Sequence, residues 1–401
     1  MADSGIPTAP AARVLPAAAV RAILFALAMG GFAIGTSEFV VMGLMPDIAH
    51  GLDVDEPRVG HVISVYALGV VIGAPLLAIL GARLRRRPLL LALMAFYALG
   101  NLASALAPNY GTMLLARFVA GLPHGAYFGV ASLVAASISP PERRGTAVSR
   151  VLLGLAVALL VGNPLATWLG QSLDWRYAFG VVSLIAVATM VSLLLTLPPD
   201  PHEPRADPIR ELRDFNRAPV WLALGVGAIG FAGMFCVFSY LAPTMIQVTG
   251  MPEAWTPFGM LAFGVGGILG SLAGGWLFDR LQFRAVAVIL LWSAALLLVF
   301  PFAAHSMWTL LPAVVAVGTM GALAPVLQAH LMDVAGDAQT LAAASNHSAF
   351  NTANALGPWL GGMAITAGLG WTSTGYVGAA TAIAGLAVFA IAWRQRPVAR
   401  S

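Results

Sequence analysis

The chain of 401 residues has no lysine and a single cysteine, Cys236; all 21 of its Lys+Arg positions are arginine. Without lysine there is no P-loop lysine for ATP phosphates, no Schiff-base lysine and no kinase-type lysine. ATP-driven transport by this chain alone is thereby disfavoured. One thiol leaves no intrachain disulfide and no cysteine-based metal site. Charge is scarce as well. Only 9% of residues are Asp, Glu, Lys or Arg, against about 25% in a soluble domain. A soluble chain of this length needs a polar shell that this composition cannot build. No HExxH run, no GxSxG in a strand–turn–helix context and no paired intramembrane aspartates are present, so an enzyme reading finds no catalytic constellation, and no metal or cofactor is expected. A receptor would be expected to carry a folded signalling domain, and the longest internal loop, 198–217, leaves no room for one.

What is present is apolar. Hydrophobic residues make up 59% of the chain and the mean hydropathy is +0.85. The sequence pI of 9.6 would suit a nucleic-acid partner, but the arginines sit in short loops between apolar runs, which argues against one. A helix needs roughly 20 apolar residues to cross the ~30 Å hydrocarbon core. Twelve runs qualify: 20–45, 59–80, 88–107, 110–136, 146–170, 177–197, 219–245, 257–278, 285–304, 308–332, 341–367 and 372–393. The first run is too long for a signal-peptide core and is expected to be retained as a span. The expected plan is a tail (1–19), a six-helix bundle (20–197), a charged, proline-rich linker (198–217), a second six-helix bundle (218–394) and a short tail (395–401).

Arginine placement sets the expected orientation. With both termini cytoplasmic, all arginines fall inside except Arg58, Arg176 and the intramembrane Arg117. The halves also repeat. A shift of 197 residues superposes Gly30 on Gly227, Pro46 on Pro243, Gly69 on Gly266, Gly73 on Gly270, Arg83 on Arg280 and Arg87 on Arg284. Two pseudo-symmetric six-helix halves joined by a linker is the plan of a large class of secondary transporters, with a site near mid-membrane between the halves.

Four stretches carry a family resemblance: GTSEFVVMGLMPDIA (35–49), LLARFVAGLPHGAYFG (114–129), GNPLATWLGQSLDWRYAF (162–179) and GGWLFDR (274–280). On these the chain resembles the major facilitator superfamily. It is similar in particular to the twelve-span drug:proton antiporters, and among them to arabinose-efflux-like, purine-efflux-like and chloramphenicol-efflux proteins. The resemblance implies an all-α major facilitator fold, and its fifth-span pattern implies export. The loop signature between spans 8 and 9 is kept at Asp279 and Arg280. The equivalent loop between spans 2 and 3 departs from it, with Ala82 where aspartate is usual and Arg85 where glycine is frequent, and Asn163 stands before Pro164 where glycine is more usual.

Two full charges lie deep in spans, Glu38 and Arg117, each seven residues from the outer end of its helix. At 1.5 Å per residue both sit roughly 10 Å below the surface, so pairing is geometrically open to them. A charge at that depth costs at least ~2.5 kcal/mol, which pairing and a wet cavity reduce. Arginine does not deprotonate, so Glu38 is the candidate proton carrier. Burial and the Arg117 charge together set where it titrates. A static structural ion pair is the alternative. At the shifted positions the second half has Phe235 and Val314, so coupling is expected in the first half only. His124, seven residues after Arg117, shares its helical face and is a candidate relay, or a structural hydrogen-bond partner.

Gly121 and Gly125 follow small-residue spacing on span 4, which lets helices approach closely; they are read as packing contacts or as sliding contacts between conformations. Pro164 and Pro358 bend spans 5 and 11. His347, Asn351 and Asn354 form a polar stripe on span 11, read as lining water or solute, with helix–helix hydrogen bonding as the alternative. Phe231, Phe235 and Phe238 recur at helical spacing on span 7, as pocket wall, packing or lipid-facing residues. With Met42, Phe128 and Asn163 these form the candidate cavity, mostly apolar with few polar groups. The expectation is an inner-membrane antiporter, monomeric, exchanging protons for a small molecule such as a drug, sugar or nucleoside. A proton-coupled importer of the same fold is the alternative, and a polytopic receptor or membrane enzyme a remote one.

Overall fold

The computed structural model describes residues 16–81, 84–140, 143–199, 217–334 and 339–395. Ala82 and most of the expected linker and tails lie outside them. Among the described residues the chain is helical throughout, with no strand. We label the long helices α1 (Ala17–Gly43), α2 (Glu56–Gly81), α3 (Arg86–Ala105), α4 (Tyr110–Ser137), α5 (Thr146–Ser172), α6 (Trp175–Thr196), α7 (Ala218–Ser239), α8 (Thr256–Leu281), α9 (Arg284–Ala303), α10 (Met307–Val334), α11 (Gln339–Ala364) and α12 (Ser373–Arg394). Eleven of them are long and apolar enough to cross a membrane. The twelfth, α11, is long enough at 26 residues and carries the polar stripe.

Local chemistry fixes where the helices begin. Asn109 caps α4 by accepting from the Thr112 amide, while the Thr112 hydroxyl reaches back to the Asn109 amide, a capping box. Asp174 caps α6 through the Arg176 amide. Between the first two apolar runs, Pro46 opens a short helix, Met45–Leu52. Proline suits a first helical turn, where its missing N–H is no loss.

Three spans are interrupted. In α5 a π-turn occupies Ala158–Gly162 immediately before Asn163 and Pro164. Pro164 has no amide to give Leu160, and its ring crowds that carbonyl; the wider turn absorbs both. The run expected as one span over 219–245 breaks at Phe231 and again at Tyr240. In α10 a 3₁₀ turn covers Thr319–Ala322.

The duplication is visible in the packing. On α4, Gly121 faces the Tyr66 carbonyl of α2, and Gly69 and Gly73 of α2 face the carbonyls of Phe118 and Leu122. In the second half Gly318 of α10 faces the Phe263 carbonyl of α8, and Gly266 and Gly270 face the carbonyls of Val315 and Thr319. Every one of these partners is displaced by 197 residues from its counterpart. A Cβ at any of them would meet backbone, so glycine is what lets each pair of helices touch. Gly125 similarly lies 2.5 Å from the Ala74 Cβ at the position its own Cβ would take. Gly121 and Gly125 therefore pack within one half rather than across the two.

The halves meet along α1–α7, α2–α11 and α5–α8. At the arginine-poor end, Gln247 donates to Glu56 Oε1 at 3.1 Å and Gln171 donates to the Glu253 carbonyl at 3.2 Å. Nearer mid-depth, the Ser64 hydroxyl donates to the Ala355 carbonyl at 2.8 Å. At the opposite end, where the arginines cluster, Arg280 lies over the Trp276 ring at 3.8 Å. Among the described residues Asp279 makes no ion pair within 4.0 Å.

Candidate functional site

Position 38 of α1 falls at the seam between the halves. Glu38 is 5% exposed. Its Oε1 accepts a hydrogen bond from Asn354 Nδ2 of α11 at 3.1 Å, a side-chain bond across the two halves inside the apolar zone. Neighbouring aromatic contacts close the seam. Phe39 stacks on Phe235 with ring centroids 6.4 Å apart and leans on Phe238 at 6.1 Å. Phe231 packs against Phe235 and Phe350, and Phe238 against Phe263. All three candidate phenylalanines of α7 are thus buried at or beside the interface and none faces lipid.

Arg117 does not pair with Glu38; no ion pair within 4.0 Å joins them. The guanidinium donates to the Ser37 hydroxyl at 2.8 Å and the Ser37 carbonyl at 2.9 Å. That hydroxyl donates onward to Asn101 Oδ1 at 2.5 Å, and Asn101 Nδ2 donates to the Tyr97 carbonyl. The charge also lies 4.0 Å above the Tyr66 ring and 5.3 Å from the Phe179 ring centroid. Hydrogen bonds to a charged group contribute about 1.5–3 kcal/mol each, and a desolvated cation–π contact about 2 kcal/mol. The cage is what replaces water around a fully buried guanidinium. The sequence reading placed the two charges at equal depth; the bond it missed runs to the residue next to Glu38.

His124 accepts from or donates to the Tyr66 hydroxyl through Nδ1 at 3.0 Å, and Tyr66 reaches Tyr97 at 3.3 Å. The His124 ring leans on Phe128, which stacks flat on His347 of α11 at 5.7 Å. The column His124–Phe128–His347 therefore crosses between the halves. Asn351 Nδ2 donates to the His347 carbonyl at 3.0 Å. Three of its stripe's neighbouring acceptors remain without partners among the described residues: Asn351 Oδ1, Asn354 Oδ1 and Asn346 Oδ1. Asn163 is fully buried at the α5 π-turn with both side-chain atoms unpartnered, as are Thr36 Oγ1 and Thr167 Oγ1 nearby on α1 and α5. Met42 is buried in the apolar core that joins the halves. The tyrosines were not singled out from sequence, although Tyr66, Tyr97 and Tyr127 sit mid-span, Tyr240 sits at the break that ends α7, and all four are fully buried. A tyrosine away from the membrane interface needs a partner for its hydroxyl, and that was the available signal.

The family model described as Major Facilitator Superfamily matches residues 27–290 and 260–401. The chain belongs to the major facilitator superfamily. This major facilitator protein is 38% identical over 375 residues to the inner membrane transport protein YdhP of Escherichia coli K12, covering 93% of this chain and 96% of that protein. It is 30% identical over 370 residues to a Helicobacter pylori protein named "Probable sugar efflux transporter", covering 90% and 93%. A bacterial homologue of the human lysosomal transporter Spinster, solved in an inward-facing and unoccupied conformation, superposes with a TM-score of 0.76 at 16% identity over 95% of this chain. The fold is thus the all-α major facilitator fold, and the chain is a multi-pass membrane transporter.

Proposed function

We propose that this transporter exports a small molecule across the bacterial inner membrane in exchange for protons, by alternating access between halves spanning 20–197 and 218–394. The observation that carries the reading is Glu38. It is a carboxylate in the apolar zone, at the contact of the two halves, beside aromatic rings and unpartnered amides. Arginine keeps its proton, and Arg117 is bonded to Ser37, so of the two intramembrane charges Glu38 is the one able to take up and release a proton. Protons arriving from outside favour solute release there; their loss on the cytoplasmic side favours loading. The names of relatives that include sugar efflux support the direction, and drug or nucleoside-like solutes suit the same set of aromatic and amide side chains.

With both termini cytoplasmic, the sealed arginine-poor end faces outward, which supports an inward-facing state. The energy suffices. The membrane field supplies ~2.3 kcal/mol per charge per 100 mV. At an assumed potential of about 150 mV one proton sustains a gradient on the order of a few hundredfold for a neutral solute. The test is exchange in liposomes carrying a pH gradient, with internal pH followed as candidate solutes are added. A solute that collapses the gradient with wild type but not with Glu38→Gln supports coupling through Glu38. Equal proton exchange by both proteins removes Glu38 from the mechanism.

A further inference from the structure

Asn354 occupies the very oxygen that the proposed mechanism needs. Its Nδ2 donates to Glu38 Oε1 at 3.1 Å and is 0% exposed. The next residue on α11 repeats the tie, since the Ala355 carbonyl accepts from Ser64 of α2. On α11 around this point the unused side-chain groups are acceptors. Asn351 Oδ1 and Asn354 Oδ1 are buried without partners, and Pro358, four residues on, has no N–H to give the Asn354 carbonyl. The second Glu38 oxygen accepts no hydrogen bond from a described residue. The two amide donors of the stripe, by contrast, are in use, Asn354 Nδ2 on Glu38 and Asn351 Nδ2 on the His347 carbonyl, while Arg117 donates to Ser37 and keeps its Nε–H without a partner.

We propose that Asn354 is a latch: in the empty carrier its amide stands on Glu38 in place of the solute, ties α11 to α1, and holds the arginine-poor end closed until a donor of the solute displaces it. Two consequences follow. The solute must carry an N–H or O–H donor able to take the place of the Asn354 amide on Glu38. The empty, deprotonated carrier cannot reopen, so protons do not leak when solute is absent. An exchanger needs such a restraint, because free return of the empty deprotonated form would convert exchange into a proton leak. Asn354 is here a positioning residue acting through Glu38, and the proposal rests on the reading of Glu38 as the coupling acid.

The test has two readouts. In liposomes with a pH gradient and no solute, wild type is expected to hold the gradient as long as protein-free liposomes do. Asn354→Ala is expected to dissipate it roughly tenfold faster, the factor that about 1.4 kcal/mol commands. Asn354→Gln, which keeps the amide donor, recovers part of the retention, and Glu38→Gln added to Asn354→Ala abolishes the leak. The second readout does not involve protons. Spin labels at Leu106 and Phe302, 70% and 72% exposed at the arginine-poor ends of α3 and α9, report the separation of the halves. Asn354→Ala shifts that distribution toward the longer distance. An Asn354→Ala protein that holds the gradient and keeps the wild-type distances overturns the latch, even where Glu38→Gln still abolishes exchange. A shifted distance distribution with Glu38→Gln exchanging normally keeps the latch and refutes Glu38 as coupling acid. Exchange of tetraphenylphosphonium, which has no N–H or O–H, overturns the donor requirement.

Discussion

Gly264 of α8 is where alanine tests the rigid-halves picture most directly. A Cβ there would stand 2.7 Å from the Leu159 carbonyl oxygen and 3.0 Å from Leu160 Cα, both in the π-turn of α5. Comfortable carbon contacts begin near 3.5 Å, so α5 and α8 must separate by roughly half an ångström or more. Overpacking of this kind costs about 1–3 kcal/mol. The cost falls on whichever state brings α5 and α8 together at this level, and is absent from a state in which the halves have parted there. At 1.4 kcal/mol per decade, the balance moves on the order of ten- to a hundredfold toward the other state. The assay is the distance between labels at Leu106 and Phe302. Gly264→Ala is expected to lengthen it, while Gly267→Ala, on the same helix with nothing within 4 Å of its Cβ, leaves it unchanged. Gly121→Ala meets the Tyr66 carbonyl inside the first half, so it lowers thermal stability without moving the distribution. A Gly264→Ala protein with wild-type distances and wild-type thermal stability would refute the argument.

Three further outcomes are expected. Ser37→Ala strips Arg117 of one donor's partner and leaves Asn101 Oδ1 bare, so thermal or denaturant unfolding should show a loss of about 1–3 kcal/mol; wild-type stability would mean that the cage is dispensable. Asn163→Leu removes two buried polar atoms that have no protein partner, so stability holds or rises while solute exchange falls; unchanged exchange takes Asn163 out of the cavity. Burial pushes the Asp47 carboxyl, in the short helix beyond α1, up to about 6, with the negative charges of Glu253 and Asp174 adding to it. Between about pH 4 and 6 the folded chain then holds a proton that the unfolded chain has released, so stability falls as pH rises through that window and is level above it. Asp47→Asn should flatten the fall in the thermal midpoint across those pH values, and a fall of the same size in the variant would place its origin elsewhere.

The sequence carries the fold because the fold's rules are local and periodic. Span length, arginine-bearing loops and the 197-residue repeat each report on one segment at a time, and the helices form where the apolar runs are. Span 7 shows the limit: its run is continuous, yet its helix breaks at Phe231 and at Tyr240. The candidate site was legible as a set of residue types out of place, Glu38 and Arg117 in apolar spans and asparagines in a stripe. Who bonds whom was not. Equal depth suggested Glu38 with Arg117, but depth fixes only one coordinate. The rotation of α1 turns Ser37 toward α4 and Glu38 toward α11, so adjacent residues serve opposite halves. Nothing in the spacing of Asn354 announces that its partner lies 316 residues away.

The shared 197-residue register lets one half of the molecule serve as a reference for the other. Ser37, Glu38, Tyr66 and Arg117 correspond to Met234, Phe235, Phe263 and Val314, all of them buried. The second copy builds the same α8–α10 crossing that the first builds between α2 and α4, and does so with hydrocarbon where the first has a charge cage. Replacing buried ionic groups by well-packed apolar ones is often neutral or stabilising. The architecture therefore does not require the polar set, and the copy that retains it does so at a cost in robustness. The duplication has separated two duties that an unpaired bundle would have to combine, with a conservative frame in one copy and the freedom to carry a stability burden for chemistry in the other.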